Sequence, residues 1–153
     1  MAEQPQDQRQ LQALQRWADG KATLKEVRGY TDEELFSIAR TAYYFFYQGK
    51  ISEARTLFQG LYAVNPLDAY VAKALGVVEH AAGNAQGALA AFDVALKISP
   101  QDAAAYVGRA EVKISLGQKA QAVDDLKRAT TLCRDNEDLK AKISALLAAL
   151  TRR

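Results

Sequence analysis

Gly49-Lys50-Ile51-Ser52-Glu53-Ala54-Arg55-Thr56-Leu57-Phe58-Gln59-Gly60-Leu61 has two partial copies further along the chain, GNAQGALAAFDVA at 83–95 and GQKAQAVDDLKRA at 117–129. Gly49, Gly83 and Gly117 stand 34 residues apart, and so do Ala54, Ala88 and Ala122; Phe58, Phe92 and Leu126; and Leu61, Ala95 and Ala129. Each column has a physical reason. The glycine suits a tight inter-helix turn that needs a left-handed residue. The alanine lets two helix backbones approach closely, and the aromatic or leucine four positions on falls on the same face and fills the layer beneath. Pro66 and Pro100 keep the same step, which fails at Arg134.

A period of 34 residues is that of the tetratricopeptide repeat, a pair of antiparallel helices that buries its apolar face by stacking on the next pair. The spacing predicts an all-α fold, a three-repeat α-solenoid with an N-terminal helix and a C-terminal capping helix. Counting back from the prolines gives repeats at 35–68, 69–102 and 103–136 within a domain at 31–151. Thr31 with Glu34 reads as a capping box, with Tyr30 and Leu35 as its hydrophobic staple. Asp68 and Asp102 stand where N-caps are needed, and Asp135 or Asn136 does so for a capping helix at 137–151. That last helix carries the apolar stripe Leu139, Ile143, Leu146, Leu147 and Leu150.

Residues 1–10, rich in glutamine and without a large apolar side chain after Met1, are expected to be a disordered tail. The extension at 11–30 has Leu11, Leu14 and Trp17 at helical spacing, with Gly20 as terminator. A helix this short is marginal alone. It packs on its own domain, on a second copy as a homodimer contact, or on a partner.

Composition narrows the function. The 20 basic and 18 acidic residues are interspersed and leave a net charge of +2, so no field exists to steer nucleic acid. No apolar run approaches the ~20 residues that span a bilayer. The lone Cys133 and the lack of an apolar leader point to a reducing cytoplasm, with Cys133 as a small apolar residue near a helix end. One histidine, His80, and one cysteine in different repeats make no metal or nucleophile cluster. No phosphate-cradling glycine motif is present, and the adjacent Asp124 and Asp125 read as a solvated helix face. Neither an enzyme, a cofactor nor a metal is expected.

In tetratricopeptide solenoids the first helix of each repeat lines the concave groove. The family pattern places Phe36, Ala39, Tyr43, Phe46 and Tyr47 there from the first repeat. Tyr70, Lys73, Val77, His80 and Ala81 come from the second, and Ala104, Val107, Glu111, Ile114 and Ser115 from the third. The first repeat has two readings. Either the helix at 31–48 is buried on all sides, or it offers an apolar trough with tyrosine hydroxyls at the rim, Tyr44 and Phe45 packing inward. A basic clamp for C-terminal carboxylates is missing, because Ala39, Tyr43 and Gly108 stand where its polar residues belong, and Lys73 alone does not supply it.

The stretch GKATLKEVRGYTDEEL at 20–35, followed by Ala42-Tyr43, Gln48-Gly49-Lys50, Glu53-Ala54 and Phe58-Gln59-Gly60-Leu61, resembles the class II chaperones of bacterial type III secretion, the LcrH/SycD-like family. The resemblance implies a cytoplasmic chaperone that holds an extended hydrophobic segment of a secreted translocator-type client in its groove, without membrane insertion or nucleic acid. By position it implies contacts from Phe36, Tyr43, Phe46, Tyr47, Tyr70 and Val77. The alternative is a non-secretory tetratricopeptide scaffold within a larger assembly.

Overall fold

The computed structural model describes residues 6–152. Among them are nine helices and no strand, in two units, Met1–Leu67 and Asp68–Arg153. In the first unit α1 (Gln6–Ala18), α2 (Leu24–Arg28), α3 (Asp32–Tyr47) and α4 (Ile51–Val64) follow one another. In the second, α5 (Ala69–Ala81) pairs with α6 (Ala85–Ile98), α7 (Ala103–Ser115) pairs with α8 (Lys119–Leu132), and α9 (Glu137–Thr151) packs on α8.

The helix boundaries follow from local chemistry. Thr31 and Glu34 close a reciprocal capping box, each side chain taking the other's backbone N–H, and Thr23 with Glu26 does the same for α2. The carboxylates of Asp68 and Asp102 and the amide oxygens of Asn84 and Asn136 accept from the first turns of α5, α7, α6 and α9. Gly49, Gly83 and Gly117 all have φ between 74° and 82°, the left-handed turn that the repeating glycine column anticipates. Pro66 and Pro100 follow the C-caps Asn65 and Ser99, where no helical N–H is needed.

The N-terminus departs from expectation. Residues 6–10, assigned to a disordered tail, form the start of α1, while residues 1–5 lie outside the described part. Gln and Arg are adequate helix formers, and Asp7 in the first turn complements the helix dipole, so the helix of Leu11 and Trp17 extends backwards.

The first unit's core is Leu35, Ala39 and Ala42 of α3 with Ala54, Phe58 and Leu61 of α4. In the second unit, Phe92 of α6 is buried beside two glycines. A Cβ at Gly76 of α5 would meet its ring at 2.9 Å, and one at Gly108 of α7 would lie 2.6 Å from Cε1. Beyond it, Val107, Ala110, Ala122, Leu126, Ala129, Cys133 and Ile143 form one apolar cluster flanked by the leucine stripe of α9.

Asp125 also departs from expectation. Asp124 is exposed, but Asp125 is buried. Arg109 donates to it through Nε at 2.9 Å and Nη2 at 2.6 Å, Lys113 Nζ lies 2.7 Å away, and Arg109 Nη1 reaches Asp93 at 2.9 Å. Adjacent residues on a helix diverge by about 100°, and of the two only Asp125 turns toward the cations of α7. Burial alone would raise its carboxyl. The hydrogen bonds and charges of Arg109 and Lys113 outweigh that and hold it below the usual range.

Candidate functional site

Within the first unit, α3 displays the aromatic side chains. Phe36 is 55% exposed and Tyr47 80% exposed, while Tyr43 and Phe46 are half-buried. The Tyr43 and Tyr47 rings stack at 6.3 Å, and Phe46 meets Tyr47 edge-on at 5.7 Å. Tyr43 also sets its ring edge-to-face against buried Phe58 at 5.0 Å, so it serves the core on one side and the surface on the other. The helix is therefore not apolar and buried all round.

Two expectations for this helix are corrected. Ala39, placed in the groove by position, is buried, because it shares the i, i+4, i+7 stripe of Leu35 and Ala42. Tyr44, expected to pack inward, is 61% exposed, since it lies about 140° around the helix from Ala39. It lines a shallow polar depression with Ser37, Arg40 and Thr41. Phe45 is half-buried beneath Lys50, whose ammonium stands 5.6 Å from the ring centre.

In the second unit, Tyr70, Val77 and Ala81 are exposed on α5, with Lys73 and His80 half-buried on the same flank, while the remaining residues from Val71 to Glu79 are buried. Lys73 Nζ is bound to Asp102 Oδ2 at 2.7 Å, and Asp102 Oδ1 accepts from the Ala105 N–H. On α7, Ala104 and Ser115 are exposed and Glu111 is half-buried, paired with Lys142 of α9 at 2.9 Å. Val107, placed in the groove by position, is buried in the α7–α8–α9 cluster instead. Ile114 packs against that cluster too, because the capping helix covers this end of the unit.

Sequence reasoning missed two features. One is the Lys73–Asp102 pair, whose partners are 29 residues apart and give no local signal. The other is an apolar pocket of about 260 Å³ in the first unit between Tyr30, Ile38, Leu57, Gly60 and Val64. Gly60 opens it, since a Cβ there would meet nothing within 4 Å. Leu11, Leu14 and Trp17 are exposed, and α1, which packs against α2, has no buried residue. Among the described residues no group of His, Cys, Asp and Glu is disposed to hold a metal, and no helix is long and apolar enough to cross a membrane. The exposed side chains of α3 and α5 offer rings, aliphatic surface and hydroxyls, a chemistry of binding.

Two family models described as tetratricopeptide repeat match residues 39–103 and 79–150. No curated protein sequence matches the chain. Among solved structures, the Yersinia enterocolitica type III secretion chaperone SycD, in complex with a peptide of the translocator YopD, is similar with a TM-score of 0.73 at 21% identity, over 78% of this chain and 94% of that one. PcrH of Pseudomonas aeruginosa, in complex with the chaperone binding region of PopD, gives 0.75 at 23% identity, over 80% and 95%. The first tetratricopeptide domain of Spaghetti (RPAP3), bound to the HSP90 peptide SRMEEVD, gives 0.69 at 16% identity, over 80% and 97%. The repeating glycines, the capped helix pairs and these likenesses converge: the chain belongs to the tetratricopeptide-repeat family and has the fold of the type III secretion translocator chaperones.

Proposed function

We propose that the chain is a cytoplasmic chaperone that binds extended hydrophobic segments of a secreted, translocator-type client through the exposed apolar side chains that α3 and α5 each present on their own unit, with no catalytic step. The observation that carries this is the exposure of Phe36 and Tyr47 on a capped, well-packed helix. Large rings left in water at fixed positions mark an interaction surface, and burying each against a client stabilises the complex by about 1.5 to 3 kcal/mol. The likeness to chaperones solved with translocator peptides supports the same reading. Such a client carries segments that aggregate when exposed, so covering one of them reversibly is the task this surface suits.

Phe36, Tyr47 and Tyr70 are better test positions than Tyr43, because Tyr43 also supports Phe58. In co-expression with a translocator-type protein of its own host, the triple variant Phe36→Ala, Tyr47→Ala, Tyr70→Ala should keep its helical circular dichroism and lose client capture. A folded triple variant that captures client as well as the parent would refute the proposal. A complex that persists after the client has been exported would favour a permanent scaffold instead.

A further inference from the structure

The charged side chains of α5 and α7 are spent within their own unit. Lys73 is bound to Asp102 at 2.7 Å, Glu111 to Lys142 at 2.9 Å, and Arg109 and Lys113 to Asp125. Tyr70, Val77, Ala81 and Ala104 stand exposed on the same two helices. The geometry points to Asp102 as a specificity-determining residue: by neutralising Lys73 it makes this surface reject acidic C-terminal tails and accept an uncharged internal segment.

The division of labour at Asp102 supports this assignment. Its Oδ1 caps α7 by accepting from Ala105, which uses one oxygen. Its Oδ2 is left to take the Lys73 ammonium, the one lysine or arginine of α5, so the cap and the neutralisation come from a single side chain. A peptide carboxylate approaching Lys73 must displace a partner that is already close, covalently tethered and partly shielded from water, and it gains little in exchange. Glu111 does the same for Lys142 at the far end of α7. An apolar segment meets no such obstacle, and leaves both pairs intact when it binds. This inference rests on the client-binding reading above and specifies which polypeptides that surface takes.

Asparagine at 102 retains the capping oxygen but replaces the neutralising one with an amide, which frees Lys73. Fluorescence anisotropy with labelled SRMEEVD bearing a free C-terminus, and with its amidated counterpart containing Gln and Asn in place of Glu and Asp, separates charge from chain. The full-length parent should bind the acidic peptide no better than the neutral one. Asp102→Asn should bind the acidic peptide roughly tenfold tighter than the parent does, the scale of one charge-assisted hydrogen bond. Adding Lys73→Met should remove the gain. Glu111→Gln, which leaves the cap untouched, should give a smaller gain of the same sign through Lys142. Tight binding of the acidic peptide by the parent, or no gain in either folded single variant, overturns the inference. The client-binding reading fails differently, as a parent chain that captures no apolar client whatever happens to the acidic peptide.

Discussion

Phe92 fills the space that Gly76 and Gly108 leave open, so the two glycines and the ring set the spacing of α5, α6 and α7 together. Gly108→Ala should destabilise the chain by about 1 to 3 kcal/mol, the usual cost of overpacking, read as a lower urea midpoint. Phe92→Leu should recover part of that loss in the double variant, because the two substitutions share one contact. Asp125 sets a second residue-scale dependence. Its carboxyl is held below the ordinary range, so the stability it contributes is present above the unfolded-state value of about 3.9 and is lost as pH falls through the lower folded value. Asp125→Asn should cost about 2 kcal/mol between pH 5 and 8, and the difference from the parent should shrink below about pH 4. A constant difference down to pH 3 would exclude this account. Asp124, next to it and exposed, should tolerate the same substitution without measurable cost.

At the scale of the helix, Gly60 is the position where sequence and stability part company. It lies inside α4 with an unremarkable backbone and open space where a side chain would go. Gly60→Ala should therefore stabilise the chain by about 0.5 to 1 kcal/mol through helix propensity and a less flexible unfolded state, checked by thermal melting; a destabilised variant would show that the pocket is held open by contacts a methyl group disrupts. What was legible along the chain was the spacing of helices and their ends. The glycine column, Thr31 with Glu34, Asp68 and Asp102 each announce a local geometry that needs no distant partner. What was not legible was the rotational phase of each helix. In the run Tyr43-Tyr44-Phe45-Phe46-Tyr47 hydrophobicity is uniform, so periodicity does not tell which ring faces Phe58 and which faces water. Ala39 and Val107 failed for a related reason: a family position places a residue on a face, but a short side chain flanked by buried neighbours or covered by a capping helix loses access to solvent. The α2 helix was recoverable, since Thr23 and Glu26 spell the same capping box as Thr31 and Glu34.

For the molecule as a whole, buried apolar residues are unevenly distributed. The first unit's helices α3 and α4 contribute six, α1 and α2 contribute none, and the second unit supplies the remainder of the core. Native-state hydrogen exchange should therefore be slowest in α5–α8, intermediate in α3 and α4, and fastest in α1 and α2; uniform protection across all nine helices would contradict that order. The most exposed aromatic surface thus sits on the less heavily buried unit. The exposed stripe of α1 has an optical consequence. Trp17 is the chain's one tryptophan, and it stands 47% exposed beside Leu11 and Leu14. Its emission, red-shifted in water and blue-shifted on burial, reports without any label whether α1 has found a cover. Dilution separates a second copy from a self-contained contact, and titration with a candidate polypeptide separates both from a partner.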